Sequence, residues 1–280
     1  MKLNAITIDV EDYYMVSAFA KEVKFEDWTN YESRVVPNTR RILELLAEYD
    51  IKATFFVLGW VAKQYPKIIM DIHSAGHRIA CHSYNHRLIY NLTPEEFRED
   101  LRKSKRILED IIGISVVGFR APTYSIIKRN LWALDVLIEE GFLYDSSIFP
   151  VFHDIYGIPG AMRFPHEIKR PSGMIKEFPL STFQIKISKI KYKFPIAGGG
   201  YLRLLPVGLT KWAINYINNS EGQPVIIYFH PWEIDPMQPI INVGLRSRFR
   251  HYLNLDKTTN KLKVLLPSFK FVPIEEIIGV

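Results

Sequence analysis

The chain has little of what would tie it to a membrane or to a disulfide scaffold. Its 280 residues include one cysteine, so no disulfide can form within the chain. No run of eighteen apolar residues occurs, which argues against a transmembrane helix. The first residues, from Met1 to Asp9, are too few and become acidic too early for a secretory signal peptide. We therefore expect a cytoplasmic protein without a transmembrane segment.

Internal repeats, low-complexity tracts and flexible linkers are also absent. The 36 Lys and Arg exceed the 30 Asp and Glu, for a net charge of +6, but they are scattered along the chain. We therefore expect no nucleic-acid partner. Hydrophobic residues make up 48% of the chain and charged residues 24%, as in ordinary globular proteins. These values favour one domain spanning residues 1–280, and no feature indicates an oligomeric state.

Apolar strand patterns alternate with helical patterns along the chain. Strands are predicted over residues 5–9, 53–58, 78–81, 116–119 and 224–229, and helices over residues 37–49, 66–75, 93–112 and 130–140. Polar residues follow the carboxyl ends of the strands, which is the layout of a (β/α) barrel with its active site in those loops. Residues 150–205 are rich in Phe, Pro and Gly and interrupt the alternation. We interpret them as an insertion that caps or walls the site.

Two imidazoles stand four residues apart, at His82 and His86, directly after a predicted strand. Such a pair by itself is more often structural than functional. Here an acidic cluster that contains Asp9, Glu11 and Asp12 ends the first strand. Two His and one carboxylate hold hydrolytic zinc with one position open for water. The pattern therefore predicts a metal-dependent hydrolase.

Two further motifs complete the pattern, Arg120-Ala121-Pro122-Thr123-Tyr124 and Tyr228-Phe229-His230. In this order the four motifs resemble the polysaccharide deacetylases of carbohydrate esterase family 4, over roughly residues 5–150 and 222–235. Other segments resemble a subgroup that occurs beside exopolysaccharide biosynthesis systems. These segments begin at Asp145, Arg163, Glu177 and His230. The resemblance implies a distorted (β/α) barrel of the deacetylase type.

The resemblance implies that the first acidic motif supplies a catalytic base and a metal ligand. The family usually has two adjacent Asp residues here, whereas this chain has Val10 after Asp9. Asp9 corresponds to the base, and Val10 cannot bind a metal. Either Glu11 or Asp12 then joins His82 and His86 as a ligand, and the spacing leaves this choice open. The other carboxylate would cap the following helix.

The resemblance also implies roles for the later motifs. Arg120 would pair with Asp9 and with a later acidic residue, Asp145. The backbone N–H of Tyr124 would contact the oxyanion. His230 would act as general acid toward the leaving amine, with neither Glu233 nor Asp235 assignable as its partner.

Together these features predict the metal-dependent removal of N-acetyl groups from an amino-sugar polymer or oligosaccharide. Zinc is the expected ion, although two imidazoles and one carboxylate also suit cobalt or nickel. One alternative is an allantoinase-like amidase of small cyclic or linear amides, a branch that can lack the metal. Another is a sugar-binding module without catalysis. Metal content distinguishes the first alternative, and loss of Asp9, Arg120 or His230 would have marked the second.

Overall fold

The computed structural model describes residues 2–187, 190–196 and 198–280. Within these residues the strands are β1 (Leu3–Val10), β2 (Thr54–Val57), β3 (Arg78–Cys81), β4 (Gly118–Phe119), β5 (Tyr144–Asp145), β6 (His166–Arg170), β7 (Gly173–Glu177), β8 (Thr182–Ile187), β9 (Ile190–Pro195), β10 (Ile226–Phe229) and β11 (Lys270–Val272). The α-helices are α1 (Val35–Glu48), α2 (Gly59–Gln64), α3 (Pro66–Ser74), α4 (Pro94–Ile112), α5 (Trp132–Glu139), α6 (Gly199–Leu204), α7 (Val207–Asn219), α8 (Leu245–Tyr252), α9 (Leu255–Leu265) and α10 (Ile274–Ile278).

Nine strands form one sheet in the order β10-β1-β2-β3-β4-β5-β7-β6, with β11 also pairing with β1. The strands from β10 to β7 are parallel, and β6 is antiparallel to β7. Among the described residues this order does not return to its first strand, as befits a distorted rather than a closed barrel. The central strands are buried on both faces, which a parallel sheet covered by helices requires. The predicted α/β fold is confirmed.

Helix α4 shows how local sequence sets these elements. Thr93 accepts a hydrogen bond from the backbone of Glu96, whose side chain accepts one from the Thr93 N–H, forming a capping box. Pro94 occupies the first helical position, and Gly113 ends the helix in the left-handed conformation. The predicted helix and its start are both confirmed.

The second half of the chain completes the same sheet. Strand β10 lies beside β1, and the hairpin of β6 and β7 extends the sheet from β5. The segment predicted as an insertion, residues 150–205, therefore includes β6 and β7, two strands of the main sheet, besides the separate hairpin of β8 and β9. Within the described part of the chain, no helix combines the length and apolar character that crossing a bilayer requires.

Candidate active site

The polar motifs meet at one edge of the sheet. Strands β10, β1, β2, β3 and β4 are neighbours and run parallel, so their carboxyl ends lie together. The acidic cluster spans the end of β1, the two imidazoles follow β3, and the arginine loop follows β4. His230 directly follows β10. The topology thus gathers residues that are up to 221 positions apart in sequence, such as Glu11 and Trp232.

Three of these side chains form a compact group of ligand atoms. One ligand atom each from Glu11, His82 and His86 lies within 4.8 Å of the others, and Oε2 of Glu11 is 2.9 Å from Nε2 of His86. The Nδ1 of His82 is 2.8 Å from the carbonyl oxygen of Arg120, and that of His86 is 3.3 Å from the hydroxyl of Ser17. Outer partners that engage one nitrogen orient the other toward a metal. Nε2, which in His86 contacts Glu11, is therefore the nitrogen of each imidazole that would bind a metal.

The charges of this group suit a divalent cation. Burial by itself would raise the pKa of Glu11, but its interactions with the imidazoles of His86 and His230 outweigh burial and lower that pKa to about 2, so the carboxylate is ionised. Burial lowers the pKa of His82 to about 4, which leaves its imidazole neutral at physiological pH. Metal ligation needs an ionised carboxylate and neutral imidazoles. The residues present therefore fit a divalent metal ion.

The backbone bends sharply to bring the two imidazoles together. Ser83 and His86 adopt φ values of 64° and 59°, in the left-handed region that non-glycine residues seldom occupy. Thr123 and Tyr124 in the neighbouring loop do the same, with φ values of 52° and 54°. Such strained residues concentrate at functional sites. The His82–His86 segment is thus a turn after β3 rather than a helical pair.

Asp12 lies outside the ligand group. Its Oδ2 accepts hydrogen bonds from the Ser33 hydroxyl at 2.7 Å and from the backbone N–H groups of Arg34 and Val35 at 3.0 and 3.1 Å. These groups precede and begin α1, so Asp12 caps this helix from a distant loop. Burial raises its pKa to about 6 despite these hydrogen bonds. Of the two carboxylates left open by the sequence, the structure brings Glu11 to the imidazoles.

Arg120 is fully buried and pairs with Asp9. Its Nη1 lies 2.6 Å from Oδ1 of Asp9 and 2.8 Å from the hydroxyl of Thr7. Its other nitrogens donate to the hydroxyl and carbonyl oxygens of Ser146, and its Cζ lies 4.0 Å from the ring centre of Phe56. Each edge of the guanidinium is therefore fixed, and Oδ2 of Asp9 is left free to face the site.

Among the described residues Arg120 forms no direct hydrogen bond or ion pair with Asp145, although its charge still acts on that carboxyl group. Asp145 accepts instead from the hydroxyl of Ser147, which in turn accepts from the N–H of Ala121. In the sheet, Asp145 pairs in register with Glu177, another fully buried carboxyl group. Burial raises the pKa of Asp145 to about 6, and burial together with the Asp145 charge raises that of Glu177 well above its usual range. Ser146 accepts hydrogen bonds from Arg120, and the hydrogen bonds of Asp145 reach the arginine loop through Ser147.

His230 faces the ligand group from the end of β10, the strand next to β1. Its Nε2 lies 3.5 Å from Oε1 of Glu11 and 3.9 Å from Oδ2 of Asp9, while its Nδ1 lies 2.9 Å from Oε2 of Glu233. Burial would lower its pKa, but these three carboxylates raise it to about 9. Trp232 stacks on the imidazole at 5.1 Å and donates from Nε1 to Glu11. This raised pKa favours the protonated imidazole at neutral pH.

A second buried ion pair stands behind His230. Arg203 lies 2.6 Å from Oε1 of Glu233, and burial by itself would raise the Glu233 pKa, which the charges of Arg203 and His230 instead lower to about 2. The sequence left the partner of His230 unassigned between Glu233 and Asp235. The structure turns Asp235 toward Asn38, at 3.2 Å, and makes Glu233 the partner.

The N–H of Tyr124 already has an acceptor. It donates to the carbonyl oxygen of Ala121 at 3.0 Å, within a 3₁₀ turn. The predicted oxyanion contact would have to share this hydrogen or replace that bond. Tyr124 nevertheless lies beside the site, with its ring 5.1 Å from that of Tyr228.

Sequence reasoning missed several residues that hold the site. One of them has a local signal, because Glu233 stands three residues after His230, at capping-box spacing. The others are Ser17 and Arg203, from distant segments with no motif of their own, and Ser146 and Ser147, which follow Asp145 but were given no role.

Two family models match consecutive parts of the chain. Residues 23–137 match the polysaccharide deacetylase family, and residues 146–279 match a domain of unknown function, DUF3473. Peptidoglycan-N-acetylglucosamine deacetylase from Bacillus cereus is 34% identical over 98 residues, which are 35% of this chain and 36% of that protein. Chitooligosaccharide deacetylase from Azorhizobium caulinodans is 35% identical over 85 residues, which are 30% and 40% of the two chains. The chain thus spans about two fifths or less of these relatives.

Solved structures share the fold over nearly the whole chain. A protein from Mycobacterium smegmatis that is named for polysaccharide deacetylases superposes with a TM-score of 0.61 at 22% identity, covering 99% of this chain and 88% of that one. A carbohydrate esterase family 4 pseudoenzyme from Bacillus anthracis gives a TM-score of 0.50 at 18% identity, covering 99% and 66%. Because one of these is a pseudoenzyme, the fold alone does not decide activity. Over residues 23–137 the chain is thus similar to the polysaccharide deacetylase family, and its curated relatives include deacetylases of peptidoglycan and of chitooligosaccharides.

Proposed function

We propose that this protein removes N-acetyl groups from amino sugars within a glycan, by metal-assisted hydrolysis. The observation that carries the proposal is the group of Glu11, His82 and His86 next to two proton-carrying side chains, Asp9 and His230. The relatives named as peptidoglycan and chitooligosaccharide deacetylases support the substrate class.

Glu11, His82 and His86 would hold the ion, which when bound polarises the amide carbonyl and lowers the pKa of a water molecule. Zinc fits this ligand set best among the expected ions, since closed-shell zinc accepts imidazole and carboxylate in tetrahedral geometry. Cobalt and nickel accept the same donors.

The proton transfers fall to residues on either side of the ligand group. Oδ2 of Asp9, left free because Arg120 engages Oδ1, would accept the proton of the attacking water. His230 would donate from Nε2 to the departing nitrogen, and Glu233 would hold the imidazolium through Nδ1. A protonated amine leaves more easily than an amide anion, so the acid assists the step in which the C–N bond breaks.

The alternatives have less support. A metal-free amidase would not need the carboxylate of Glu11 to be buried beside the imidazoles of His82 and His86. A sugar-binding module would not need Arg120 to hold Asp9 or Glu233 to hold His230, since both ion pairs are buried and costly to assemble.

We further propose that the whole chain, residues 1–280, acts as one catalytic domain, because β10 and β11 from the second half flank β1. We also propose the exopolysaccharide-associated subgroup, because two of the segments that indicated it supply His230 and Glu177, which lies in register with Asp145. A cytoplasmic location stays a prediction.

The test is acetate release from N-acetylglucosamine oligomers, peptidoglycan fragments and small cyclic amides, before and after removal of metal by a chelator. We expect acetate release from the sugar substrates but not from the cyclic amides. This activity should be lost when the metal is removed and restored when zinc is added. Asp9→Asn should nearly abolish turnover with metal still bound, and His230→Ala should slow it roughly 10²–10⁴-fold. Full activity of metal-free protein, or of Asp9→Asn, would overturn the proposal.

A further inference from the structure

A basic and apolar surface lies next to the site and has no role in the proposed chemistry. We call it the α8 face and define it by Met237, Ile240, Leu245 and Phe249, together with the arginines at positions 246, 248 and 250. The four apolar side chains are 78%, 65%, 85% and 62% exposed. Monomeric soluble proteins seldom leave such large aliphatic and aromatic groups exposed together, and patches of this kind mark interaction sites.

The α8 face is a built feature rather than a loose loop. Leu245 and Phe249 are four residues apart on one helix, so they lie on the same side of it. The hydroxyl of Tyr252 accepts from the N–H of Ile241 at 2.9 Å, and His251 lies 2.8 Å from the side-chain oxygen of Gln238. These contacts fix the segment that carries Met237 and Ile240 against the end of α8.

The charge of this region has one sign. Residues 236–255 contain no Asp or Glu, and they contain three arginines, at positions 246, 248 and 250. None of these three forms an ion pair with a carboxylate among the described residues. In contrast, three arginines elsewhere each pair with a carboxylate at 2.6 Å: Arg163, Arg170 and Arg203.

The same helix is tied to the site. Arg203, which holds Glu233, also donates to the carbonyl oxygens of Arg250 and His251 at 2.9 and 2.7 Å, at the end of α8. Trp232 stacks on His251 with ring centres 4.1 Å apart. Trp232 in turn stacks on His230. A partner bound to α8 would therefore be linked to His230 through the side chains of His251 and Trp232.

We propose that the α8 face docks on an anionic lipid bilayer surface. A short helix with exposed Leu and Phe interleaved with arginines is the pattern of an interfacial helix, whose apolar groups enter the headgroup boundary while the cations meet anionic lipids. Exposed Leu, Ile and Met favour lipid over an anionic glycan, because sugars are bound by flat aromatic rings and hydrogen-bonding groups. This proposal does not depend on the deacetylase activity.

The test is co-sedimentation of the full chain with vesicles of phosphatidylcholine and phosphatidylglycerol in equal parts, and with vesicles of phosphatidylcholine alone. We expect binding to the anionic vesicles that weakens with salt, and little binding to the neutral ones. Each arginine near an anionic surface strengthens binding about fivefold, so R246E with R248E should weaken it by more than about 25-fold. L245S with F249S should also release the protein.

Matched control variants test whether vesicle binding depends on the α8 face or only on the overall charge and exposed apolar area of the protein. K63E with R106E makes the same charge change on α2 and α4, and M70S with I114S removes exposed apolar side chains elsewhere. Both controls should bind like the parent, and thermal unfolding should confirm that all four variants are folded. Equal loss in the controls, no vesicle binding by the parent, or equal capture by a soluble anionic polysaccharide would overturn the proposal. So would a change in oligomeric state, measured by light scattering, that is confined to the α8-face variants.

Discussion

Replacing Glu11 and Asp12 one at a time should separate metal binding from fold stability. Glu11 lies 2.9 Å from His86 in the ligand group, so Glu11→Ala removes one of three ligands. The affinity for zinc should fall by more than the roughly 10–100-fold that changes in outer partners cost. Metal content after dialysis, measured by mass spectrometry, should drop while the midpoint of thermal unfolding without metal changes little.

Asp12→Ala should have the opposite effect. The N–H groups of Arg34 and Val35 would lose their acceptor, and each buried donor left unpaired costs about 1–3 kcal/mol. Removing the buried carboxylate also removes its desolvation cost, which offsets part of this loss. The net destabilisation of the folded state should be roughly 2–4 kcal/mol. In a chain of this size that should lower the unfolding midpoint by about 5–10 °C, at unchanged metal content.

The pH dependence sharpens the Asp12 test. Its pKa in the folded chain is raised to about 6, so the native state holds this proton more tightly than the unfolded state. The group therefore favours folding most below its unfolded pKa, and that advantage is lost as the pH rises through about 6. Asp12→Asn keeps an acceptor and cannot ionise, so it should remove this decline. If Asp12→Ala lost the metal, or Glu11→Ala kept it, our assignment of the two carboxylates would be refuted.

Three further predictions concern positions away from the ligand group. The imidazole of His77 accepts from the N–H of Ala53 and burial lowers its pKa to about 4, so its contribution to stability is present above pH 6.5 and lost as the pH falls toward 4. The loss should reach about 2 kcal/mol after solvent screening, and denaturant unfolding should show it in the parent but not in His77→Gln. Glu177→Gln should raise stability at alkaline pH, because it removes the need to ionise a buried carboxyl group; an unchanged pH profile of unfolding would contradict the raised pKa of Glu177. Gly118→Ala should destabilise by roughly 3 kcal/mol or more, since the added Cβ would collide with the ring of Tyr144, and low yield of folded protein with a reduced unfolding midpoint would show it.

The sequence predicted those parts of the site that depend on position along a strand. Asp9, His82, Arg120 and His230 each follow an apolar run, and parallel strands place their carboxyl ends at one edge. The start of α4 was also predictable, because a capping box involves only residues three apart. Order and periodicity therefore sufficed for the fold class and for bringing these four residues to one edge of the sheet, whereas their proposed roles rest on the family resemblance.

The choice of partners could not be read in this way. Glu11 and Asp12 are adjacent and chemically alike, and the N–H groups of residues 34 and 35 decide which one turns to the helix. Asp145 was expected to pair with Arg120, but the hydroxyl of Ser146 fills that position. Each outcome depends on a contact between segments more than twenty residues apart, for which the local pattern holds no information.

The two family models divide what is one site. The first, residues 23–137, contains His82, His86 and Arg120, while Asp9 and Glu11 precede it. The second, residues 146–279, contains His230 and the groups that orient it. Since Ser146 holds Arg120 and Trp232 donates to Glu11, neither segment has a complete set of contacts without the other. The domain of unknown function is thus, in this chain, the part of the sheet that carries the proposed general acid.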